Sequence, residues 1–120
     1  MKFYKVFDPV FRCEFRLYIG SLEMFKKEMQ KCEGCPEEVA SLEPANGYTL
    51  SVNSAIAIWL PVFSLVDPSC IASLSHEIMH AVDFRLLKKC GVCYWENNAE
   101  VGAYYLEFLM KSFLEEIEKG

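Results

Sequence analysis

Apolar and polar residues alternate between positions 10 and 19, which predicts a strand with one buried face. Successive side chains of a strand point to opposite sides, so the apolar set should face the core. The members of that set are Phe11, Cys13, Phe15, Leu17 and Ile19. The segment 3–7 is the expected partner strand, joined to the first through a turn at Asp8-Pro9.

A second period-two series covers residues 48–60. It predicts either one long strand or a hairpin that turns near Asn53-Ser54. The segment 32–47, which precedes this series, is rich in Gly, Pro and Glu and ends in an Asn-Gly turn signal. We expect a loop there.

Two helices are indicated by their end signals. Ser21 is a candidate cap for a first helix. Asp67-Pro68 predicts the start of a second helix, with a capping carboxylate followed by proline at the first helical position. That helix should extend to about Lys89 and stop at Gly91. The inner face of the first helix would carry Leu22, Phe25 and Met29.

A third helix is predicted from Ala99 to about Glu118, capped by Asn97 or Asn98. The element order is then ββα, one or two strands, and αα, with no domain boundary in residues 1–120. The positions expected to face the core on the third helix are Val101, Tyr105, Phe108, Leu109 and Phe113.

Composition narrows the class of protein. The chain has 120 residues, 52% of them hydrophobic, which suits one domain with one core. Its net charge of −5 argues against nucleic acid as the main partner. The most apolar stretch, residues 55–66, is too short to cross a bilayer and contains Pro61. The charged amino terminus lacks a signal-type apolar core, so we expect a cytoplasmic protein with no membrane partner.

The motif His76-Glu77-Ile78-Met79-His80 carries the clearest chemistry. Residues four apart on a helix lie on one face, about 40° apart around the axis, so both imidazoles can bind one Zn²⁺. Glu77 lies beside them, where its carboxylate can hold a zinc-bound water. The competing interpretation is two histidines that make ordinary hydrogen bonds. Both histidines of the chain fall in this motif, within a well-signalled helix, which favours the metal.

A catalytic zinc needs three protein ligands and one open position, and no third histidine exists. The candidates are Asp83, Glu96, Glu100 and Glu107. We favour Glu100, which opens the third helix, although a first-turn glutamate also complements the helix dipole. Asp83 lies one turn beyond His80, where it could orient an imidazole or simply be solvated.

At this point the chain resembles the gluzincin group of zinc metallopeptidases, and most closely small metallopeptidase-like proteins of phages and prophages. The resemblance lies in YKVFDP, IAIWLP, HEIMHAVDF and AEVGAYYLEFL, which are residues 4–9, 56–61, 76–84 and 99–109. It implies a minimal zincin-like fold in which His76, His80 and Glu100 bind zinc and Glu77 is the general base. If the chain is phage-encoded, its location is the host cytoplasm.

Other residues leave alternatives open. Segment 55–60 fits the edge strand with which such enzymes bind an extended substrate, but an ordinary core strand is slightly favoured. Trp59 would line the cleft or cover the sheet. Tyr104 would donate to a developing oxyanion or lie in the core.

The cysteines are expected to be reduced thiols or metal ligands. Two Cys-x-x-Cys pairs could form a structural zinc site, and the other two cysteines are expected in the core. The pairs are Cys32/Cys35 and Cys90/Cys93, and the core cysteines are Cys13 and Cys70.

These observations predict an α+β fold: a small twisted sheet covered on one side by a backing helix and by the helix of the histidine motif, with a carboxy-terminal helix that bears Glu100. The expected function is zinc-dependent hydrolysis of peptide bonds, with a peptide or protein substrate. One alternative is a non-catalytic zinc-binding phage protein that binds a host or virion protein, and another is a hydrolase of non-peptide substrates. The oligomeric state is left open.

Overall fold

The computed structural model describes residues 1–94 and 99–120. It is an α+β fold with one four-stranded sheet, as the sequence predicts. The regular elements are β1 (Lys2–Asp8), β2 (Cys13–Ile19), α1 (Leu22–Gln30), a short 3₁₀ helix (Glu37–Ser41), β3 (Tyr48–Val52), β4 (Ala55–Leu60), α2 (Pro68–Asp83), a π-helical turn (Phe84–Lys89) and α3 (Ala99–Lys119).

The sheet has the order β1-β2-β4-β3. Two antiparallel hairpins, β1–β2 and β3–β4, are joined by parallel pairing of β2 with β4. The residue 48–60 series is therefore a hairpin, which turns at Asn53-Ser54. Asn53 has a φ of 54°, a left-handed conformation that asparagine tolerates better than most residues. In this order β4 is interior, and β3 is an outer strand.

Helices cover both faces of the sheet, so the expectation that the backing helix and α2 share one face is wrong. Phe25 and Met29 of α1 pack on one face with Trp59. Leu74 and Ile78 of α2 pack on the other. β2 ends and β3 begins at the same end of the sheet, and the chain between them, which contains α1, covers the face that carries Tyr18, Leu50 and Trp59. The apolar side chains of this face need a cover of their own, because α2 and α3 cover the other face.

α2 begins where the sequence predicts. The Asp67 carboxylate accepts a hydrogen bond from the Ser69 amide at 2.9 Å, and Pro68 occupies the first turn. The helix continues through the π-helical turn to Lys89, and Gly91 adopts a φ of 69° just after it. The buried stripe of α2 contains Cys70, Leu74, Glu77, Ile78, Ala81 and Val82. Burial of each of its larger apolar side chains stabilises the fold by about 2 kcal/mol.

α3 packs on the α2 side of the sheet through Tyr105, Leu109 and Phe113, as predicted. Val101 and Phe108 were expected in the core and are exposed. Each precedes a residue of the buried stripe by one position, which is about 100° around the helix and outside that stripe. The proposed caps Asn97 and Asn98 lie outside the described residues.

A buried carboxylate joins α3 to the β1–β2 turn. The Asp8 carboxylate accepts hydrogen bonds from the Val10 amide at 2.9 Å and the Phe11 amide at 3.1 Å. It also accepts one from the Tyr105 hydroxyl at 2.6 Å. Burial raises the pKa of Tyr105, and the neighbouring Asp8 raises this pKa further. Tyr105 therefore stays neutral and remains a donor to Asp8.

α1 is capped as predicted, because the Ser21 hydroxyl accepts a hydrogen bond from the Met24 amide at 3.2 Å. Within the described ranges, no helix combines the length and the apolar character that crossing a membrane requires.

Candidate functional site

The two histidines of the motif lie together on the exposed face of α2. His76 and His80 are both exposed, and their Nε2 atoms are 3.3 Å apart. The rings are nearly perpendicular, at 77°, with centroids 4.9 Å apart. The four-residue spacing of His76 and His80 thus places their ring nitrogens close together on one face of α2.

The histidine pair fits a shared zinc ion. Zn–N bonds of about 2.0–2.1 Å at a tetrahedral angle place two ligand nitrogens about 3.3–3.4 Å apart. The two Nε2 atoms are 3.3 Å apart in the structure, which matches this expected distance. A hydrogen bond between two neutral imidazoles has a similar length, so the distance suits either arrangement. A metal assay of the purified protein separates them.

Glu77 is buried, with 6% of its surface exposed, although its neighbour His76 is exposed. The Thr49 hydroxyl lies 2.7 Å from Glu77 Oε1 and 3.0 Å from the Glu77 carbonyl oxygen. A hydroxyl has one proton, so it donates to one of these at a time. Thr49 belongs to the outer strand β3, so this strand helps to hold the Glu77 carboxylate in position.

A cavity of about 420 Å³ opens beside Glu77. Gly47 lies on its wall, and a Cβ at this position would be 2.9 Å from Glu77 Oε2 and 3.0 Å from the Trp59 carbonyl oxygen. Only glycine leaves Glu77 enough room in this position. The residues that line the cavity are Asn46, Gly47, Ala72, Ser73, His76 and Glu77.

The third ligand is not assembled with the histidine pair. Over residues 1–94 and 99–120, no group of three His, Cys, Asp or Glu side chains comes close enough to hold a metal ion. Glu100 and Glu107 are exposed on α3, and Glu96 lies outside the described residues. Of the three predicted ligands, the structure brings His76 and His80 together and leaves Glu100 apart from them. The roles of all three as zinc ligands stay predictions.

Asp83 has a partner that neither sequence interpretation foresaw. Its carboxylate accepts a hydrogen bond from the Tyr94 hydroxyl at 3.1 Å. Tyr94 packs against Gly102 of α3, where an added Cβ would be 2.2 Å from Tyr94 Cδ2. Asp83 therefore connects α2 to the contact between Tyr94 and α3.

The structure also decides the open alternatives for β4 and Trp59, and it excludes one of the two for Tyr104. β4 is an interior strand. Trp59 is 2% exposed, stacks on Phe25 and Tyr48, and covers the sheet on the α1 side. Tyr104 is 65% exposed, so it is not a core tyrosine, and it does not line the cavity beside Glu77.

The four-cysteine site is not formed. Cys32 and Cys35 pack with the core on the α1 side of the sheet. Cys90 lies near Cys13, whose pKa it helps to raise, and Cys13 belongs to the core on the α2 side. Among residues 1–94 and 99–120, these cysteines form no group that could hold a metal ion. All six cysteines are free thiols in the structure, and Cys13 and Cys70 are buried as predicted.

Two residues of the site, Thr49 and Gly47, were not identified from the sequence as parts of it. The Asn-Gly pair was interpreted only as a turn, and Thr49 only as a strand position. Thr49 and Ser51 are both polar positions of β3, so the strand's pattern gave no signal that singled out Thr49. The close approach of Gly47 to Glu77 depends on tertiary packing.

The comparisons with known proteins leave the resemblance to gluzincins as a prediction. No family model matches the chain, and no match is found among curated proteins or solved structures.

Proposed function

We propose that the chain is a zinc-dependent metallopeptidase with its reaction centre at His76, Glu77 and His80. The observation that carries the proposal is the pair of Nε2 atoms 3.3 Å apart on the exposed face of α2. The buried Glu77 carboxylate belongs to an open cavity that His76 also lines. Neutral imidazoles are common zinc ligands, and a carboxylate near a reacting water is a common general base.

Each residue of the proposed site has a distinct role. His76 and His80 hold the metal, and Glu100 is the proposed third ligand. A bound zinc ion supplies Lewis acidity that polarises a carbonyl and acidifies water. Glu77 accepts a proton from the attacking water and delivers it to the leaving amine. Thr49 holds the Glu77 carboxylate in place through its hydroxyl.

The proposed substrate is a peptide or an unfolded protein in extended conformation. β3 is an outer strand of the sheet, and its residue Thr49 contacts Glu77. An extended peptide could pair with the free edge of β3 and pass beside the carboxylate. This assigns to β3 the role that the sequence suggested for residues 55–60. We also propose a cytoplasmic location, as expected from the amino-terminal sequence.

A non-catalytic zinc-binding protein is the second candidate, and one observation favours it. The described residues bring only two ligands together, and both are exposed. A partner protein from the host or the virion could supply the remaining ligands. In that case zinc would join two chains, and Glu77 would not be needed for proton transfer.

The test combines zinc content with hydrolysis. Wild type should contain one zinc per chain and cleave members of a broad peptide library, and His80→Ala should lose both properties. Glu100→Ala should lower zinc affinity strongly, whereas Glu107→Ala, a control on the same helix, should not. If wild type retains zinc but cleaves nothing at saturating zinc, the metallopeptidase proposal fails and the binding protein is preferred. Equal zinc in wild type and His80→Ala would contradict both candidates.

A further inference from the structure

A second cavity, of about 390 Å³, lies where the β1–β2 and β3–β4 turns meet the π-helical turn after α2. It shares no lining residue with the cavity beside Glu77. We call it the basic cavity. Its main polar side chains are Arg12, Ser51, Asn53, Ser54, Arg85 and Lys89.

The charge of the basic cavity is opposite to that of the chain. The chain has a net charge of −5, yet three cationic side chains and no carboxylate line this cavity. Among the described residues, the ion pairs involve other lysines and Arg16, and none involves Arg12, Arg85 or Lys89. The nearby Asp8 already accepts three hydrogen bonds and does not line the cavity. The cavity therefore presents positive charge without a carboxylate in its own lining.

Arg85 is held in place with part of its donor capacity unused. One Nη donates to the Phe11 carbonyl, which fixes the guanidinium. Its Nε is buried and has no hydrogen-bond partner among the described residues. A buried donor without an acceptor costs free energy, so Arg85 stays beside the cavity although part of its donor capacity is unsatisfied.

The backbone of the same cavity is unusual. Arg12 has a φ of 55° and Asn53 a φ of 54°, and they are the non-glycine residues with positive φ in the described ranges. Both line the basic cavity. Glycine would adopt the conformation of Arg12 at lower cost, so an arginine at this turn position keeps a cation at the expense of backbone strain.

From these observations we propose that the basic cavity binds a phosphate group, either as the free ion or as the monoester of a small molecule. Two guanidinium groups and an ammonium group match a phosphate dianion, since guanidinium binds phosphate oxygens with paired donors. The hydroxyls of Ser51 and Ser54 are further donors.

The test is calorimetric titration of the whole chain at constant ionic strength with inorganic phosphate, glycerol phosphate and acetate. Both phosphate compounds should bind if the site accepts an ester, and inorganic phosphate alone should bind if it takes the free ion. Acetate should bind much more weakly. Binding of neither phosphate compound, or equal binding of acetate, would overturn the proposal.

Three variants locate the binding. Arg12→Gly and Lys89→Gln should each weaken phosphate binding by at least about ten-fold. Lys88→Gln is the matched control, because exposed Lys88 lies over the Phe84 ring and does not line the cavity. Its affinity should equal that of wild type, and an equal loss in Lys88→Gln and Lys89→Gln would contradict a defined site.

Arg12→Gly also separates binding from folding. Glycine relieves the positive φ at this position, so the variant should have a melting temperature at or above that of wild type while binding phosphate less well. A variant that binds phosphate as wild type does would overturn the role of Arg12. Should Arg12→Gly fold poorly, the exposed Lys89 still gives the decisive comparison with Lys88.

Discussion

Asp8 and Glu77 are the two charged side chains that are buried in the described part of the chain, and their surroundings differ. Asp8 accepts two backbone amide hydrogen bonds and one from the Tyr105 hydroxyl. The Glu77 carboxylate accepts one, from Thr49, and lines an open cavity beside the exposed His76.

This difference separates a carboxylate that serves the fold from one that is available for chemistry. Burial of a carboxylate is costly unless hydrogen bonds compensate. At Asp8 three hydrogen bonds offset this cost, and they connect the β1–β2 turn to α3. At Glu77 the compensation is slight, because Oε1 accepts the hydrogen bond from Thr49 and Oε2 accepts none among the described residues. The proposed role of Glu77 as general base rests on this contrast.

Asp8→Asn should have the largest effect on stability. The side-chain NH₂ group of asparagine is a donor and would face one of the N–H or O–H donors that now bind the Asp8 carboxylate. At least one of the three hydrogen bonds to Asp8 is therefore lost. We expect the free energy of unfolding to fall by about 3 kcal/mol. Urea denaturation measures this. Asp67→Asn is the control, because asparagine caps a helix as well as aspartate does, and it should change stability by less than about 0.5 kcal/mol. A similar loss of unfolding free energy in Asp8→Asn and Asp67→Asn would contradict the special structural role of Asp8.

Gly47→Ala should have the next largest effect and should act on Glu77. The added methyl would lie 2.9 Å from Glu77 Oε2 and must displace the carboxylate or the turn. We expect a loss of about 2 kcal/mol in stability, together with a loss of any hydrolytic activity. Unchanged stability with full activity would show that Gly47 does not restrict Glu77.

The Asp8 site also predicts a pH dependence. The pKa of Tyr105 is raised above its ordinary value of 10, so the folded chain keeps the proton at pH values where the unfolded chain loses it. The contribution to stability is present below pH 10 and falls as the pH rises above it, by up to about 1.4 kcal/mol per pH unit.

Tyr105→Phe should remove this contribution and make the decrease above pH 10 shallower. Some decrease should remain, because burial also raises the pKa of Tyr18 and Tyr94. Tyr104→Phe changes an exposed residue and serves as the control. Unfolding measured from pH 8 to pH 11 tests this, and identical slopes for wild type and Tyr105→Phe would contradict it.

The sequence predicted the local structure well because its signals are local. The alternation before Ile19, the Ser21 cap and the Asp67-Pro68 helix start each depend on neighbouring residues, and the structure confirms them. The spacing of His76 and His80 likewise predicted that they share one face of α2, since helix geometry determines the face, and the structure places their Nε2 atoms 3.3 Å apart.

The features that the sequence did not predict depend on contacts between distant elements. α1 packs on the face of the sheet opposite to α2 through contacts between residues far apart in the sequence, and no local pattern shows that. The hydrogen bond from Tyr94 to Asp83 joins residues eleven positions apart in the sequence, and that from Thr49 to Glu77 joins residues 28 positions apart. The third metal ligand is a problem of the same kind, because it requires α3 to approach α2 at one particular residue.

The most direct test of the central claim is hydrolysis by Glu77→Gln, measured together with zinc content and stability. Glutamine is nearly isosteric with glutamate and can still accept the Thr49 hydrogen bond, so the free energy of unfolding should change by less than about 1 kcal/mol. Zinc content should match wild type, and cleavage of a susceptible peptide should fall by at least about 100-fold. Retained cleavage, or a loss of stability as large as that of Asp8→Asn, would contradict the account.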